Sequence, residues 1–230
     1  MSRLNRRNSR CQQALEAVVS AMRKGKDAGP TVKRLQECFL SPMGILECNE
    51  KVLEDSGLSE SEACFLSKVP DLARYALRTK FPANIKLDCF QKASEYLKSL
   101  YLGVPIEQFY VLCLDSSYRL IRCKLLQKGT VDETAFYLGH LLQTIVTTQA
   151  HAFILSHNHP GGTMHPSKAD IQCTLSALEA VYPLAVNMLD HIIVADGEAI
   201  SIREKRLISL RLWTDQNPAN SVLMKWLDSV

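Results

Sequence analysis

The sequence predicts an α/β (α+β) fold, a mixed β-sheet flanked by helices and preceded by a small all-helical region. Three observations carry this. Apolar residues recur at helical spacing through the first half of the chain. Beyond Val104, short β-rich runs alternate with helical patterns. A hairpin and strand–helix–strand crossovers occur together there, so one sheet needs both antiparallel and parallel pairs. With 230 residues, 47% hydrophobic and 22% charged, the chain can bury such a core as an ordinary soluble protein.

In the N-terminal part, CQQALEAVVSAMRK carries a helical apolar stripe, which Gly25, Gly29 and Pro30 then interrupt. VKRLQECFL and ACFLSKVPDLARYAL continue the helical pattern, with Pro42 and Pro70 as breaks. LDCFQKASEYLKSLYLG reads as a further helix closed by Gly103.

The second part opens with EQFYVLCLD and RLIRCKLLQKG, strands joined by the polar turn Asp115–Tyr118 into a hairpin. ETAFYLGHLLQTIVTTQA is a helix and AFILSH a buried strand. A helix over residues 167–181 follows, then the strand NMLDHIIVAD, a turn at Gly197 and a last strand AISIRE. NSVLMKWLDSV is a short amphipathic segment beyond the core.

A net charge of +3 is too small to indicate nucleic acid by itself. Arg3, Arg6, Arg7 and Arg10 are expected in a disordered basic terminus. The cysteines at 11, 38, 48, 64, 89, 113, 123 and 173 form no C-x-x-C pair, which excludes a zinc ribbon or a thioredoxin-type motif. Several lie in apolar runs, and no signal-peptide pattern precedes them, so reduced thiols in the cytoplasm are expected. No apolar run reaches the roughly 18–20 residues that span a bilayer.

The chemistry concentrates in SHNHPGGTMHPSKADIQCT. Strand alternation sends His157 and His159 to one side and Asn158 to the other. Pro160, Gly161 and Gly162 turn the chain back, and Pro166 starts a helix with Ser167 at its N-cap and Asp170 in its first turn. Asp170 can then return as a third ligand. Two imidazoles and a carboxylate suit Zn2+ with a fourth position open to water, whose pKa falls from about 15.7 to about 7 on binding. A base must take the water's proton, and Glu107, at the head of EQFYVLCLD, is the best-placed carboxylate. Ser167 offers a hydroxyl to a developing oxyanion. The spacing S-x-x-D at Ser167 and Asp170 is also that of a capping box, a competing role for the same pair.

These residues carry a resemblance. H-x-H, seven residues, then S-x-x-D, with an upstream glutamate, resembles the JAMM motif of JAB/MPN zinc hydrolases. SHNHPGG, PSKADIQCT, LLQKGTVD and LDHIIVADG narrow it to the RadC family, over residues 105–203. The resemblance implies a JAB/MPN, cytidine-deaminase-like sheet, zinc on His157, His159 and Asp170, Glu107 as general acid/base and Ser167 as oxyanion donor. It implies a metallopeptidase or related metallohydrolase acting on an amide or isopeptide bond, with the substrate unnamed. The alternative it carries is a DNA-repair or recombination accessory. The chain then divides into a helical region 1–100, a hydrolase domain 101–212 and a tail 213–230. Expected partners are a peptide or isopeptide substrate, a weak association with DNA and a second copy in a homodimer, with no membrane.

The N-terminal part resembles the family's helix-hairpin-helix element only loosely. Gly57-Leu58-Ser59 occupies the turn, with Ser59 in place of the second glycine. Glu54, Asp55, Glu60 and Glu62 surround it with charge that opposes a polyanion. Among the remaining histidines, His165 reads as an exposed loop residue, His140 and His151 as packing or surface residues, and His191 as a satisfied structural histidine. Asp190 beside it is a candidate for orienting a metal ligand.

Overall fold

Sequence pattern and structure meet first in the strand AFILSHN, buried at all seven positions in the middle of the sheet. The computed structural model describes residues 3–24, 27–39, 41–129 and 134–205. Two compact units divide it, Met1–Tyr75 with Leu102–Pro105, and Ala76–Tyr101 with Ile106–Val230. The tail 213–230 and Thr130–Asp132 of LLQKGTVD lie outside the described residues.

The first unit is helical: α1 (Arg3–Met22), α2 (Gly29–Cys38), α3 (Pro42–Leu46), α4 (Glu50–Asp55) and most of α5 (Glu60–Arg78). Leu35, Ile45, Leu53, Leu58, Ala63 and Leu66 form its core. Two of the three expected proline breaks hold, because α1 ends before Pro30 and α2 before Pro42, and the third does not. Pro30 and Pro42 stand in the first turn of α2 and α3, where a missing N–H costs nothing. Pro70 lies buried inside α5, which runs through it. The N-terminus also departs from expectation, because α1 begins at Arg3 rather than after a disordered basic segment. No Gly or Pro interrupts residues 3–22, and the stretch is rich in good helix formers.

In the second unit α6 (Phe90–Tyr101) precedes a five-stranded sheet of order β2-β1-β3-β4-β5. The strands are β1 (Gln108–Leu114), β2 (Leu120–Lys128), β3 (Ala152–Asn158), β4 (Asn187–Ala195) and β5 (Glu198–Ser201). Only β3 and β4 pair in parallel, joined through α8 (Lys168–Val181), and the other pairs are antiparallel. Helices α7 (Thr134–Thr148) and α8 pack together on the sheet. The sequence reading groups α6 with the N-terminal region, yet Ala93, Leu97, Leu100 and Tyr101 are buried in the sheet's own apolar cluster. The final strand is shorter than AISIRE, since residues 202–205 turn away after Ser201. No helix among the described residues is long and apolar enough to cross a membrane.

Candidate metal centre

Strand β3 delivers the first member of the candidate metal-binding group. His157 pairs in register with Phe109 of β1 and Ile193 of β4, and it is almost fully buried. His159 follows the strand end, its N–H donating to the Val194 carbonyl at 2.9 Å. Gly161 and Gly162 then adopt φ of +92° and +87°, which only glycine takes readily, and they swing the chain back. The returning loop brings the Thr163 carbonyl to 2.8 Å from His159 Nδ1, and so orients that ring with Nε2 inward. Phe109 stacks on the His157 ring, with centroids 5.6 Å apart and planes at 18°.

Helix α8 delivers the third member of that group. Ser167 is its N-cap, and Oγ accepts the Asp170 N–H at 3.1 Å while Asp170 Oδ2 accepts the Ser167 N–H at 2.6 Å. The capping box is therefore complete. It does not compete with ligation as the sequence argument implied, because a carboxylate has two oxygens. Asp170 Oδ1 lies 3.0 Å from His157 Nε2, and Oδ2 lies 3.4 Å from His159 Nε2. The two Nε2 atoms are 2.9 Å apart. His157, His159 and Asp170 thus form a group able to hold a metal ion. Zinc bonds of about 2.0–2.1 Å in tetrahedral geometry set ligand-to-ligand spacings of roughly 3.3 Å, so the donor set fits in both size and chemistry.

The electrostatics agree with a cation site. Burial alone would raise the Asp170 pKa, but the neighbouring His157 and His159 imidazoles hold it well below the usual carboxylate range. For His159, burial lowers the pKa, and Asp170, the Thr163 carbonyl and the Glu107 charge outweigh it, leaving the value raised. Glu107 therefore sits within electrostatic reach of His159. It is half-buried, immediately before β1, and its carbonyl accepts the Gly129 N–H at 2.8 Å.

Two further residues stand beside the candidate metal-binding group: His191, read from the sequence as a satisfied structural histidine, and Thr174, which that reading passed over. His191 of β4 is fully buried, with Nε2 2.8 Å from His157 Nδ1. Burial, followed by the neighbouring His157, lowers its pKa well below the ordinary value. Thr174 of α8 places Oγ1 2.7 Å from His191 Nδ1. The available signal for His191 was a histidine in a mostly apolar run, two positions from the residue paired with His157. Asp190, expected to orient a ligand, does not. Its Oδ1 accepts the backbone N–H groups of His191 and Arg203, and burial pushes its pKa up to about 7. His165 and His151 are exposed, and His140 is half-buried on α7.

Comparison with known proteins agrees with this geometry. Residues 87–207 match the RadC-like JAB domain. A UPF0758 protein of Variovorax paradoxus is 33% identical over 188 residues, covering 80% of this chain and 83% of the relative. Those of Azotobacter vinelandii (33% over 183 residues, 77% and 82% covered) and Vibrio cholerae (31% over 182 residues, 77% and 81% covered) are similar. With its sheet, its His-x-His strand end and its capped aspartate all inside the matched stretch, the chain belongs to the RadC family and carries a RadC-like JAB domain.

Proposed function

We propose that this protein is a zinc-dependent hydrolase that cleaves an amide or isopeptide bond. The observation that carries the reading is the convergence of His157 Nε2, His159 Nε2 and the Asp170 carboxylate, with spacings of 2.9, 3.0 and 3.4 Å, beside the Glu107 charge. These three residues would hold the zinc, which when bound would supply a Lewis acid that eases the deprotonation of water. Glu107 takes the water proton and returns it to the leaving amine, which makes it the general base and then the general acid. Ser167 uses an oxygen lone pair for the Asp170 N–H, so its own O–H can donate to an oxyanion developing on the substrate.

The cytoplasm is the compartment we assign, supported by the cysteines at 38, 48, 64, 89, 113, 123 and 173, none of which is in a disulfide. Metal analysis of the purified protein tests the central claim, alongside a panel of peptide and isopeptide substrates. The expected result is near-stoichiometric zinc in wild type, its loss in His157→Ala and Asp170→Ala, and retained zinc with abolished turnover in Glu107→Gln. Unchanged zinc content in both His157→Ala and His159→Ala overturns the reading.

A further inference from the structure

Strand β4 is buried at all nine positions, and His191 within it is fully shielded from water. A polar ring in such a place must satisfy both nitrogens. Nε2 is 2.8 Å from His157 Nδ1, and Nδ1 is 2.7 Å from Thr174 Oγ1. Thr174 Oγ1 lies a further 2.7 Å from the Asp170 carbonyl oxygen. Together with the contact between His157 and the Asp170 carboxylate, these bonds close a circuit that joins two metal-binding residues through two others.

The proton positions in this circuit follow from its end. A carbonyl oxygen only accepts, so the single Thr174 hydroxyl proton goes to Asp170. Thr174 Oγ1 must then accept from His191 Nδ1–H, which leaves His191 Nε2 as an acceptor. His157 Nδ1 supplies the proton to it, and His157 Nε2 is left with a bare lone pair. Reversing the direction would set the Thr174 oxygen against the Asp170 carbonyl with no proton between them. It would also put a proton on His157 Nε2, the lone pair that a metal ion would need. Phe109, stacked on His157 and edge-on to His191 with centroids 5.3 Å apart, confines both rings.

We infer that His191 and Thr174 are positioning residues that lock His157 in the Nδ1–H tautomer, presenting an unprotonated Nε2 to the metal. This rests on the metal site proposed above. Its test uses the full chain, with zinc affinity measured by chelator competition. A long-range nitrogen–proton correlation spectrum of the metal-free protein, recorded above neutral pH, reads the tautomer directly. His191→Leu and Thr174→Val are expected to weaken zinc binding by about 10–100-fold. His191→Gln, which restores an acceptor near the Nε2 position, is expected to recover most of that loss. The spectrum of wild type should show His157 protonated on Nδ1, and that of Thr174→Val a mixture of tautomers. Wild-type zinc affinity in both His191→Leu and Thr174→Val overturns the inference, as does a His157 ring protonated on Nε2. If His191→Leu fails to fold, the near-isosteric Thr174→Val decides. A wild-type chain that binds no zinc sinks the metal reading instead, while the tautomer spectrum still judges the relay.

Discussion

Asn158 holds the chain on both sides of Glu107. Its Oδ1 accepts the Gln108 N–H at 2.8 Å, and its Nδ2 donates to the Ile106 carbonyl at 3.1 Å. The same strand end thus brings two imidazoles to the candidate metal site from His157 and His159 and, from the residue between them, holds the backbone on either side of Glu107. Asn158 is nearly fully buried, so its partners have little water to turn to. Asn158→Ala should lower unfolding stability by about 1–3 kcal/mol in urea titrations. Zinc stoichiometry should stay at the wild-type value, because no ligand is touched, while turnover falls as Glu107 loses its fixed position. Loss of zinc in this variant would show that the residue serves the ligands rather than the glutamate.

The division of labour within Asp170 separates two effects that usually coincide. Ser167→Ala removes the cap oxygen and should cost about 1 kcal/mol of stability while leaving zinc bound. Asp170→Asn keeps an acceptor for the Ser167 N–H but removes the negative charge that faces two imidazoles. It should lose zinc with a smaller change in melting temperature than in metal affinity. Thermal melts with and without a chelator distinguish the two variants.

What could be read from the sequence was local, and what could not was set by pairing across the sheet. His157, His159 and Asp170 lie within one strand, one turn and one helix start, so spacing and turn chemistry alone bring them together. His191 is 34 residues from His157 and meets it only because β3 and β4 run parallel in this register. No periodicity in a single strand encodes that neighbour. The link from Asn158 to the residues flanking Glu107 is hidden for the same reason. For α6, the amphipathic pattern marks a buried face but not the partner it is buried against. Pro30 and Pro42 do separate helices, whereas Pro70 does not, because a proline inside a continuous helix and one between two helices look alike in sequence.

Glu62 makes the helical unit sensitive to acid. Arg23 Nε donates to Glu62 Oε1 at 2.6 Å, and Glu62 Oε2 accepts the Ser59 N–H at 2.8 Å. The Arg23 hydrogen bond, working against partial burial, holds the Glu62 pKa at about 2 instead of the ordinary 4.5. A carboxylate whose pKa is depressed on folding stabilises the fold fully above the unfolded value, and that contribution disappears as pH falls through the folded value. Glu62→Gln should therefore be less stable than wild type at neutral pH, and the two should converge as pH drops from 4.5 towards 2. Helical circular dichroism followed through urea unfolding at several pH values measures this, and a gap that stays constant across that range contradicts it.

The same glutamate decides what the turn between α4 and α5 can bind. Phosphate capture by such a turn needs backbone N–H groups that point outward and carry no partner. Here Ser56 donates to the Val52 carbonyl, Gly57 to Glu54 and Leu58 to Leu53. Ser59 donates to the Glu62 carboxylate, which also binds Arg23. The donors of the turn are thus spent inside the unit, and Glu54, Asp55 and Glu60 add negative charge around it. Ser59→Gly restores a Gly-hydrophobic-Gly sequence at a stability cost of only a few tenths of a kcal/mol, since glycine is an adequate N-cap. If the missing glycine were the obstacle, this change would raise DNA affinity and steepen its dependence on salt. Because the Ser59 N–H remains committed to Glu62, no gain is expected for single-stranded or duplex DNA in fluorescence anisotropy titrations across a salt series. A tenfold increase in affinity would show that the turn was one side chain away from a phosphate site, and that its internal hydrogen bonds yield readily to a polyanion.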